Sequence, residues 1–298
     1  MYKILYNNNA MRLKKGDTIG IIALSGECEE EAVIKAKKHI ESLGYNVCLS
    51  DNILNKNNYL AGTDEEKINC LHKFFSSKDI KLILAARGGY GAIRIINKID
   101  YDLIKRNSKP FCGYSDVTAL LLMIYKKAGI TTYHSPMACT DFYESNKFNE
   151  THFFDAINNK ELSFISNGKC YKNGKCRGIL FGGNLSTVVS LCGLDFLPDD
   201  DFIFFAEDLN EPVYKIDKMF QQLLNIEKFD KYCKGIILGD FLDTDNANWL
   251  DNYFEELAKK LDIPIVSGFQ ITHSKNKITI PIGKRAIIEN KILRIINE

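Results

Sequence analysis

The stretch KPFCGYSDVTALLLMIYKKAG, residues 109–129, decides the fold class of this chain. A short apolar run at Phe111 and Cys112 leads into the tight sequence GYSD. Apolar residues then recur on one face of a helix, at Val117, Leu120, Leu121 and Ile124. The pattern predicts a buried strand, a sharp turn and a helix, with Ser115 at the bend.

Two explanations account for a serine at this bend. Serine is a common N-cap, whose side chain accepts a hydrogen bond from the first helical turn. Serine is also the catalytic residue of a nucleophile elbow, a strand–turn–helix in which the turn lifts Oγ clear of the sheet. The start of the helix then offers N–H groups to an oxyanion. Because GYSDV has only the first glycine of G-x-S-x-G, the motif by itself leaves both explanations open.

Strand-like and helix-like segments alternate through the first half of the chain. The predicted strands are residues 17–25, 45–50, 80–86, 110–113 and 130–136, and the predicted helices are residues 29–44, 62–77, 92–99 and a segment from 116. This alternation predicts an N-terminal α/β domain, residues 1–140, with a parallel sheet covered by helices. Residues 141–173 are predicted to form a polar connector, and residues 174–298 a mixed α/β domain.

Charge and hydropathy exclude several classes of function. The net charge of the 298 residues is +1, and acidic and basic residues are interleaved, so a nucleic-acid partner is not expected. The longest apolar runs are too short to cross a bilayer, and the N-terminus lacks the features of a secretion signal. We therefore expect a cytoplasmic protein without a membrane partner.

The nine cysteines do not form a recognisable metal or disulfide motif. Their number is odd, no C-x-x-C occurs, and most have apolar neighbours, which predicts reduced, buried thiols. Cys170 and Cys176 could form half of a zinc site, but no second pair completes it. We expect no metal.

A second turn, in the sequence AARGGYG, also ends a predicted strand and opens a predicted helix. It matches neither G-x-G-x-x-G nor a phosphate-binding loop. Ligands gather at the carboxyl ends of strands in a doubly wound sheet, so this turn and the Ser115 turn are predicted to flank one crevice. The amides of Gly89 and Asp116 would then form an oxyanion hole; the alternative is a plain tight turn.

A serine nucleophile needs a base, and the chain has five histidines. Those on predicted helices or in the connector are His39, His72 and His152. His134 and His273 remain as candidates, and spacing does not choose between them. Glu207 ends an apolar strand and is suited to orient an imidazole, although a strand-end acid is more often at the surface.

Several motifs occur in an order that resembles a known family. They are YLAGTDEEK, IKLILAARGGYGAIRIINKIDYDLI, KPFCGYSDVTALL, TTYHSPM, GILFGGNLSTVVSL, FFAEDLNEPVYKIDKMFQQL and THSKNKITIPIG. Together they resemble the LD-carboxypeptidases, or muramoyltetrapeptide carboxypeptidases, a family of serine peptidases that also includes the microcin C immunity peptidases. The resemblance runs from about residue 13 to the C-terminus.

The resemblance implies a Ser-His-Glu triad of Ser115, His273 and Glu207, and it makes His134 a residue that lines the crevice. It implies a Rossmann-like or flavodoxin-like N-terminal domain and a mixed, barrel-like α/β C-terminal domain, with the site between them. The neighbours of His273 depart from the family pattern, because Thr272 precedes it and the usual Gly- or Pro-containing stretch does not follow it.

The implied reaction releases terminal D-alanine from a murein tetrapeptide during recycling of the bacterial cell wall, without a cofactor. An exopeptidase must bind a free carboxylate, and we assign this contact to Arg87; Arg94 is expected to form a salt bridge. The alternatives are an immunity-type peptidase that cleaves aminoacyl-nucleotide conjugates and a non-enzymatic ligand-binding protein. The sequence leaves open whether the protein forms a homodimer.

Overall fold

A computed structural model describes residues 12–296 of the chain. Residues 1–11, which entered the argument about a secretion signal, lie outside the described part. The strands, in chain order, are β1 (Thr18–Ile22), β2 (Asn46–Leu49), β3 (Ile80–Ala85), β4 (Phe111–Gly113), β5 (Thr132–His134), β6 (Ser163–Ile165), β7 (Cys170–Lys172), β8 (Lys175–Asn184), β9 (Phe202–Leu209), β10 (Cys233–Leu242), β11 (Ile265–Ser267), β12 (Ile280–Ile282), β13 (Arg285–Glu289) and β14 (Ile292–Ile295).

The helices account for the covered faces of the sheets. They are α1 (Glu30–Ser42), α2 (Asp64–Ser76), α3 (Tyr101–Arg106), α4 (Thr118–Ala128), α5 (Ala138–Asp141), α6 (Lys147–Ile157), α7 (Leu185–Val189), α8 (Val213–Leu224), α9 (Glu227–Tyr232) and α10 (Ala247–Lys260). Thr63 begins α2 with a capping box, in which its side chain accepts from the Glu66 N–H and the Glu66 side chain accepts from Thr63 N–H.

The predicted helix over residues 92–99 is wrong. Only Ala92–Arg94 forms a single 3-10 turn, and irregular turns continue until Asp100 caps α3 by accepting from the Leu103 N–H. Ile95, Ile96 and Ile99 of this segment are nevertheless buried. Their helix-like spacing therefore reflects burial of a turn-rich segment, which periodicity alone does not distinguish from a helix.

The first sheet has the strand order β2-β1-β3-β4-β5-β12. Its first five strands are parallel, in the flavodoxin-like order that reverses between β1 and β3. This confirms the predicted parallel sheet. The sixth strand, β12, comes from near the end of the chain and pairs antiparallel with β5.

The second sheet has the order β6-β14-β13-β8-β9-β10-β11-β7. Strands β8, β9, β10 and β11 are parallel to one another, and the outer strands pair antiparallel, so the sheet is mixed, as predicted.

The second sheet must also be strongly curled. Its edge strands, β6 and β7, are separated by only residues 166–169. That connection spans at most roughly 18 Å, whereas the edges of a flat eight-stranded sheet would lie about 34 Å apart. The curl agrees with the barrel-like shape that the resemblance implied.

The two sheets meet where α4 begins. A Cβ built on Gly183, near the end of β8, would lie 2.6 Å from Cγ2 of Thr118, so only glycine permits this approach. Thr118 Oγ1 also accepts from the N–H of Asn184, at 3.3 Å. Because β12 belongs to the first sheet while its neighbours in sequence belong to the second, the chain crosses between the sheets more than once. The domain boundaries at residues 140 and 174 stay a prediction.

The structure bears on the expectations about disulfides, membrane spans and metal sites. All nine cysteines are free thiols. Among residues 12–296, no helix has the length and apolarity to cross a bilayer. The same part of the chain contains no cluster of three or more His, Cys, Asp or Glu side chains suited to hold a metal ion.

His134, the last residue of β5, should make folding stability depend on pH. Its side chain is 1% exposed and neither ring nitrogen has a hydrogen-bond partner within the described residues. Burial, assisted by the nearby His273 and Lys277, lowers the pKa of His134 to about 3. Below about pH 6.5 the His134 imidazole therefore binds a proton in the unfolded chain but stays neutral in the folded protein. Protonation of the unfolded chain lowers the stability of the fold as the pH falls.

We expect the variant His134→Leu to lose stability less steeply than the wild type between about pH 6 and pH 4, by up to about 1.4 kcal/mol per pH unit. Chemical unfolding of both proteins at each pH measures the two slopes. Parallel slopes would contradict a neutral, buried imidazole.

Candidate active site

Ser115 lies directly beyond the carboxyl end of β4 and opens a 3-10 turn, Ser115–Val117, that runs into α4. Its φ is 61°, in the left-handed region that non-glycine residues seldom occupy. No side-chain cap bond is present at the start of either the 3-10 turn or α4. The capping explanation is therefore not what the structure shows, and the strained turn has the form of a nucleophile elbow.

The glycine turn after β3 packs against this serine. A Cβ built on Gly88 would lie 2.9 Å from Ser115 Oγ and 3.7 Å from the Asp116 nitrogen. Gly88 also accepts from the N–H of Gly26 at 3.2 Å, which ties the turn to the loop after β1. Only a glycine permits so close an approach between the turn and Oγ.

The proposed oxyanion donors lie in these two turns. Gly89 has a φ of 117°, and Asp116 directly follows Ser115. Within residues 12–296, neither Gly89 N–H nor Asp116 N–H takes part in a hydrogen bond. Two backbone donors thus remain available beside the serine, at the carboxyl ends of adjacent strands.

Glu207 and His273 form a hydrogen-bonded pair. Oε2 of Glu207 lies 2.6 Å from Nδ1 of His273. Glu207 is fully buried near the end of β9, so the alternative of a surface acid is wrong. Burial raises the pKa of the Glu207 carboxyl, while the imidazole opposes that rise. Because Nδ1 faces the carboxylate, Nε2 of His273 is left to accept a proton from another group.

Tyr114 connects this pair to the serine turn. Its ring lies edge-on to the His273 ring, with 4.9 Å between centroids. Tyr114 is also the residue immediately before Ser115. The contact places the His273 imidazole, from the chain segment after β11, against the serine turn of the first sheet.

His134 lies behind Tyr114 rather than at the surface of the crevice. Its ring is 5.9 Å from the Tyr114 ring and 5.5 Å from the Phe205 ring. Of the two histidines that spacing could not separate, His273 is the one with a carboxylate partner. A contact between His134 and substrate stays a prediction, and the buried ring presents almost no surface for it.

The segment that carries His273 is held by side chains that sequence reasoning missed. Lys277 pairs with Asp141 of α5, both largely buried, and its Nζ lies 4.9 Å above the Tyr114 ring. On α6, Asn149 accepts from the Lys277 N–H at 2.9 Å and donates to the Lys275 carbonyl at 3.0 Å. The predicted connector thus positions the histidine. Its polar composition was the only signal, because spacing does not reveal which distant groups a polar residue meets.

The two arginines considered for carboxylate binding differ in their surroundings. Arg94 donates to Asp64 at 2.9 Å in a partly exposed ion pair, as expected. Arg87, directly before Gly88, donates from Nη1 to the Glu27 carbonyl at 3.1 Å. Its Nε is buried and has no hydrogen-bond partner within residues 12–296. Arg87 therefore retains donor capacity for an anion.

Comparison with known proteins agrees with this geometry. Residues 19–135 match the LD-carboxypeptidase N-terminal domain, and residues 177–288 match the LD-carboxypeptidase C-terminal domain. The chain is 34% identical to the probable murein peptide carboxypeptidase of Bacillus subtilis (strain 168), over 94% of this chain and 91% of the relative. It is 29% identical to the microcin C7 self-immunity protein MccF of Escherichia coli, over 94% and 92%.

A solved structure shows the same fold at full length. The muramoyltetrapeptide carboxypeptidase from Oxalobacter formigenes superimposes with a TM-score of 0.86 and 28% identity, covering 94% of this chain and 99% of that one. With both halves of the sequence matched and the whole fold shared, the chain belongs to the LD-carboxypeptidase family, in which the microcin C immunity proteins are also found.

Proposed function

We propose that this protein is a serine LD-carboxypeptidase that releases the terminal D-alanine of murein tetrapeptides. The observation that carries the proposal is the buried Glu207–His273 pair placed against the strained Ser115 turn. The names of the relatives, a murein peptide carboxypeptidase and a muramoyltetrapeptide carboxypeptidase, support the substrate class. We place the reaction in the cytoplasm, in recycling of the cell wall.

In this mechanism Ser115 Oγ attacks the carbonyl of the last peptide bond and forms an acyl-enzyme. His273 accepts the serine proton at Nε2 and delivers it to the nitrogen of the departing D-amino acid. Glu207 holds the imidazole by Nδ1 and stabilises its positive charge in the buried site. Water then attacks the acyl carbonyl and gives a proton to His273. The imidazole returns this proton to Ser115 Oγ as the ester bond breaks and the shortened peptide leaves.

The oxyanion of each tetrahedral intermediate would accept from the N–H groups of Gly89 and Asp116. Preformed donors act strongly in a site with little water, and loss of one typically costs about 3–4 kcal/mol of barrier. Neither metal nor organic cofactor takes part in the steps that these residues provide.

An immunity-type peptidase is the second candidate, because the chain is also similar to MccF over most of its length. Such an enzyme would cleave an aminoacyl-nucleotide conjugate with the same three residues. The compact segment before β9 and the single tryptophan, Trp249 on α10, favour the peptide substrate, since they offer few aromatic side chains for a base. Mass spectrometry of a defined tetrapeptide and of an aminoacyl sulfamoyl nucleoside, each incubated with the protein, separates the two activities.

Replacing Ser115 by alanine tests the nucleophile. We expect turnover to fall by roughly a thousandfold or more. The fold should persist, because alanine, like serine, has a Cβ and is no more strained than serine at this positive φ. Thermal unfolding and release of D-alanine are measured on the same preparation. A folded Ser115→Ala variant with near-wild-type rate would exclude the serine mechanism.

The two candidate histidines are tested against each other. We expect His273→Ala to lose at least about a thousandfold in kcat, because base and proton donor are both removed. His134→Leu should stay within about tenfold of the wild type, since that ring only packs behind Tyr114. Steady-state kinetics on one tetrapeptide measures both, and the opposite ranking would reverse the assignment of the base.

The role of Arg87 is tested with a substrate that lacks the terminal charge. A charge-assisted hydrogen bond to a carboxylate is worth about 1.5–3 kcal/mol, so the C-terminal amide of the tetrapeptide should lose roughly tenfold to a hundredfold in kcat/KM. Arg87→Ala should lose as much on the acid and little more on the amide. Additive losses in this double-mutant cycle would show that another group binds the carboxylate.

A further inference from the structure

Lys67, in the second turn of α2, is fully buried although it carries an ammonium group. Lysine is almost never completely buried without partners, because removing the charge from water costs several kcal/mol. Its Nζ donates to the Gly91 carbonyl at 3.3 Å and lies 3.2 Å from Asp64 Oδ1. The ammonium is therefore directed at the turn that follows β3.

Asp116 approaches the same turn from the other side. Its carboxylate is 8% exposed, and Oδ2 accepts from the N–H of Ala92 at 2.9 Å. The Gly91 carbonyl and the Ala92 N–H belong to a single peptide group. Lys67 thus binds the oxygen of that group while Asp116 binds its N–H, and the two side chains of opposite charge hold it from both ends.

Gly91 has the backbone that this arrangement requires. Its φ is 137°, and a Cβ built there would lie 3.1 Å from Nζ of Lys67 and 3.2 Å from the Ser25 carbonyl. A side chain at this position would displace the ammonium. The glycine therefore permits Lys67 to reach the peptide group.

The peptide group links the two turns that carry the proposed oxyanion donors, because its N–H donates to the Asp116 side chain. Gly89 is two residues before Gly91, and Asp116 carries the second donor on its own nitrogen. Fixing this one peptide group consequently fixes the glycine turn relative to the serine turn. Oxyanion stabilisation depends on donors that are in place before the charge develops.

We infer that Lys67 is a positioning residue for the oxyanion hole, which holds the Gly91–Ala92 peptide group and neutralises the carboxylate of Asp116. The inference rests on the proposed function of Ser115. An ionised Asp116 without this ammonium would place a negative charge beside the developing oxyanion and raise the barrier. With Lys67 present, its ammonium compensates the negative charge of the Asp116 carboxylate in the serine turn.

Both charged and neutral groups face Lys67 and Asp116. Asp116 faces Lys67 from α2, the Ala92 N–H from the 3-10 turn and Ser25 from the loop after β1. Lys67 faces Asp64 on its own helix, and Asp64 is paired in turn with Arg94 and Lys98. Burial raises the pKa of Asp116 and Lys67 opposes that rise, so loss of Lys67 should raise it further.

The test compares Lys67→Met, Asp116→Asn and the double variant. We expect Lys67→Met to lower kcat by roughly tenfold to a hundredfold at pH 8, with KM nearly unchanged, because the Asp116 carboxylate is then uncompensated and the peptide group loses the bond to its oxygen. The ratio of variant to wild-type kcat should rise as the pH falls, since Asp116 then takes up a proton. The double variant should recover the part of the lost kcat that is due to charge, as neither charge remains, but not the part that is due to the missing bond to the Gly91 carbonyl.

Lys109 provides a matched control. It is another buried lysine, but its Nζ donates to the carbonyls of Phe74, Ser77 and Ile80 at the opposite end of β3. Lys109→Met should lose stability without losing kcat. Lys67→Arg, which keeps the charge, should retain most of the rate and provides a folded variant if Lys67→Met does not fold.

A second readout does not depend on the natural substrate. A fluorophosphonate forms a bond from Ser115 Oγ to phosphorus and expels fluoride, while His273 accepts the serine proton; its phosphoryl oxygen uses the same donors. We expect Lys67→Met to slow this labelling about as much as it lowers kcat. Rapid labelling without cleavage of any tetrapeptide would overturn the proposed substrate and leave the role of Lys67 measurable. If Lys67→Met instead behaves as Lys109→Met in both assays, or the double variant recovers nothing, the inference is wrong.

Discussion

At Ser115 the backbone adopts a φ of 61°, a conformation that costs a non-glycine residue of the order of 1 kcal/mol or more. The surroundings of the serine hold the chain there. Gly88 packs against Oγ, the Tyr114 ring is packed against His273, and the Asp116 carboxylate binds the N–H of Ala92. The residues on either side of the serine are thus both fixed to other parts of the protein, which keeps Oγ at the mouth of the turn.

Buried ionisable side chains surround the turn with partners rather than singly. His273 accompanies Glu207, Lys277 accompanies Asp141, and Lys67 accompanies Asp64. An isolated buried charge is far more costly than a paired one, and replacing such pairs by apolar side chains is often neutral or stabilising. Stability therefore does not explain why three pairs cluster here. Their shared property is that each contacts a backbone group or a ring close to the serine turn, where the proposed reaction depends on geometry.

The two sheets supply the site jointly because the chain passes between them. The proposed nucleophile follows β4 of the first sheet, Glu207 ends the apolar run of β9 in the second, and His273 precedes β12, which returns to pair with β5. Movement of one sheet against the other would therefore separate Ser115 from its proposed base. The close approach of Gly183 to Thr118 and the bond from Asn184 to Thr118 resist such movement.

Local patterns in the sequence were sufficient for the parallel sheet and for the strand–turn–helix around Ser115, because the strand and helix patterns depend on neighbours within a few residues. The helix predicted over residues 92–99 was wrong because it, too, rested on a local pattern, and buried isoleucines at helical spacing do not specify a helix. The partner of His273, the burial of Glu207 and the contacts of Lys67 and Lys277 were decided only by tertiary structure. Each joins residues far apart in the chain, and a charged side chain carries no local sign of which distant group will compensate it.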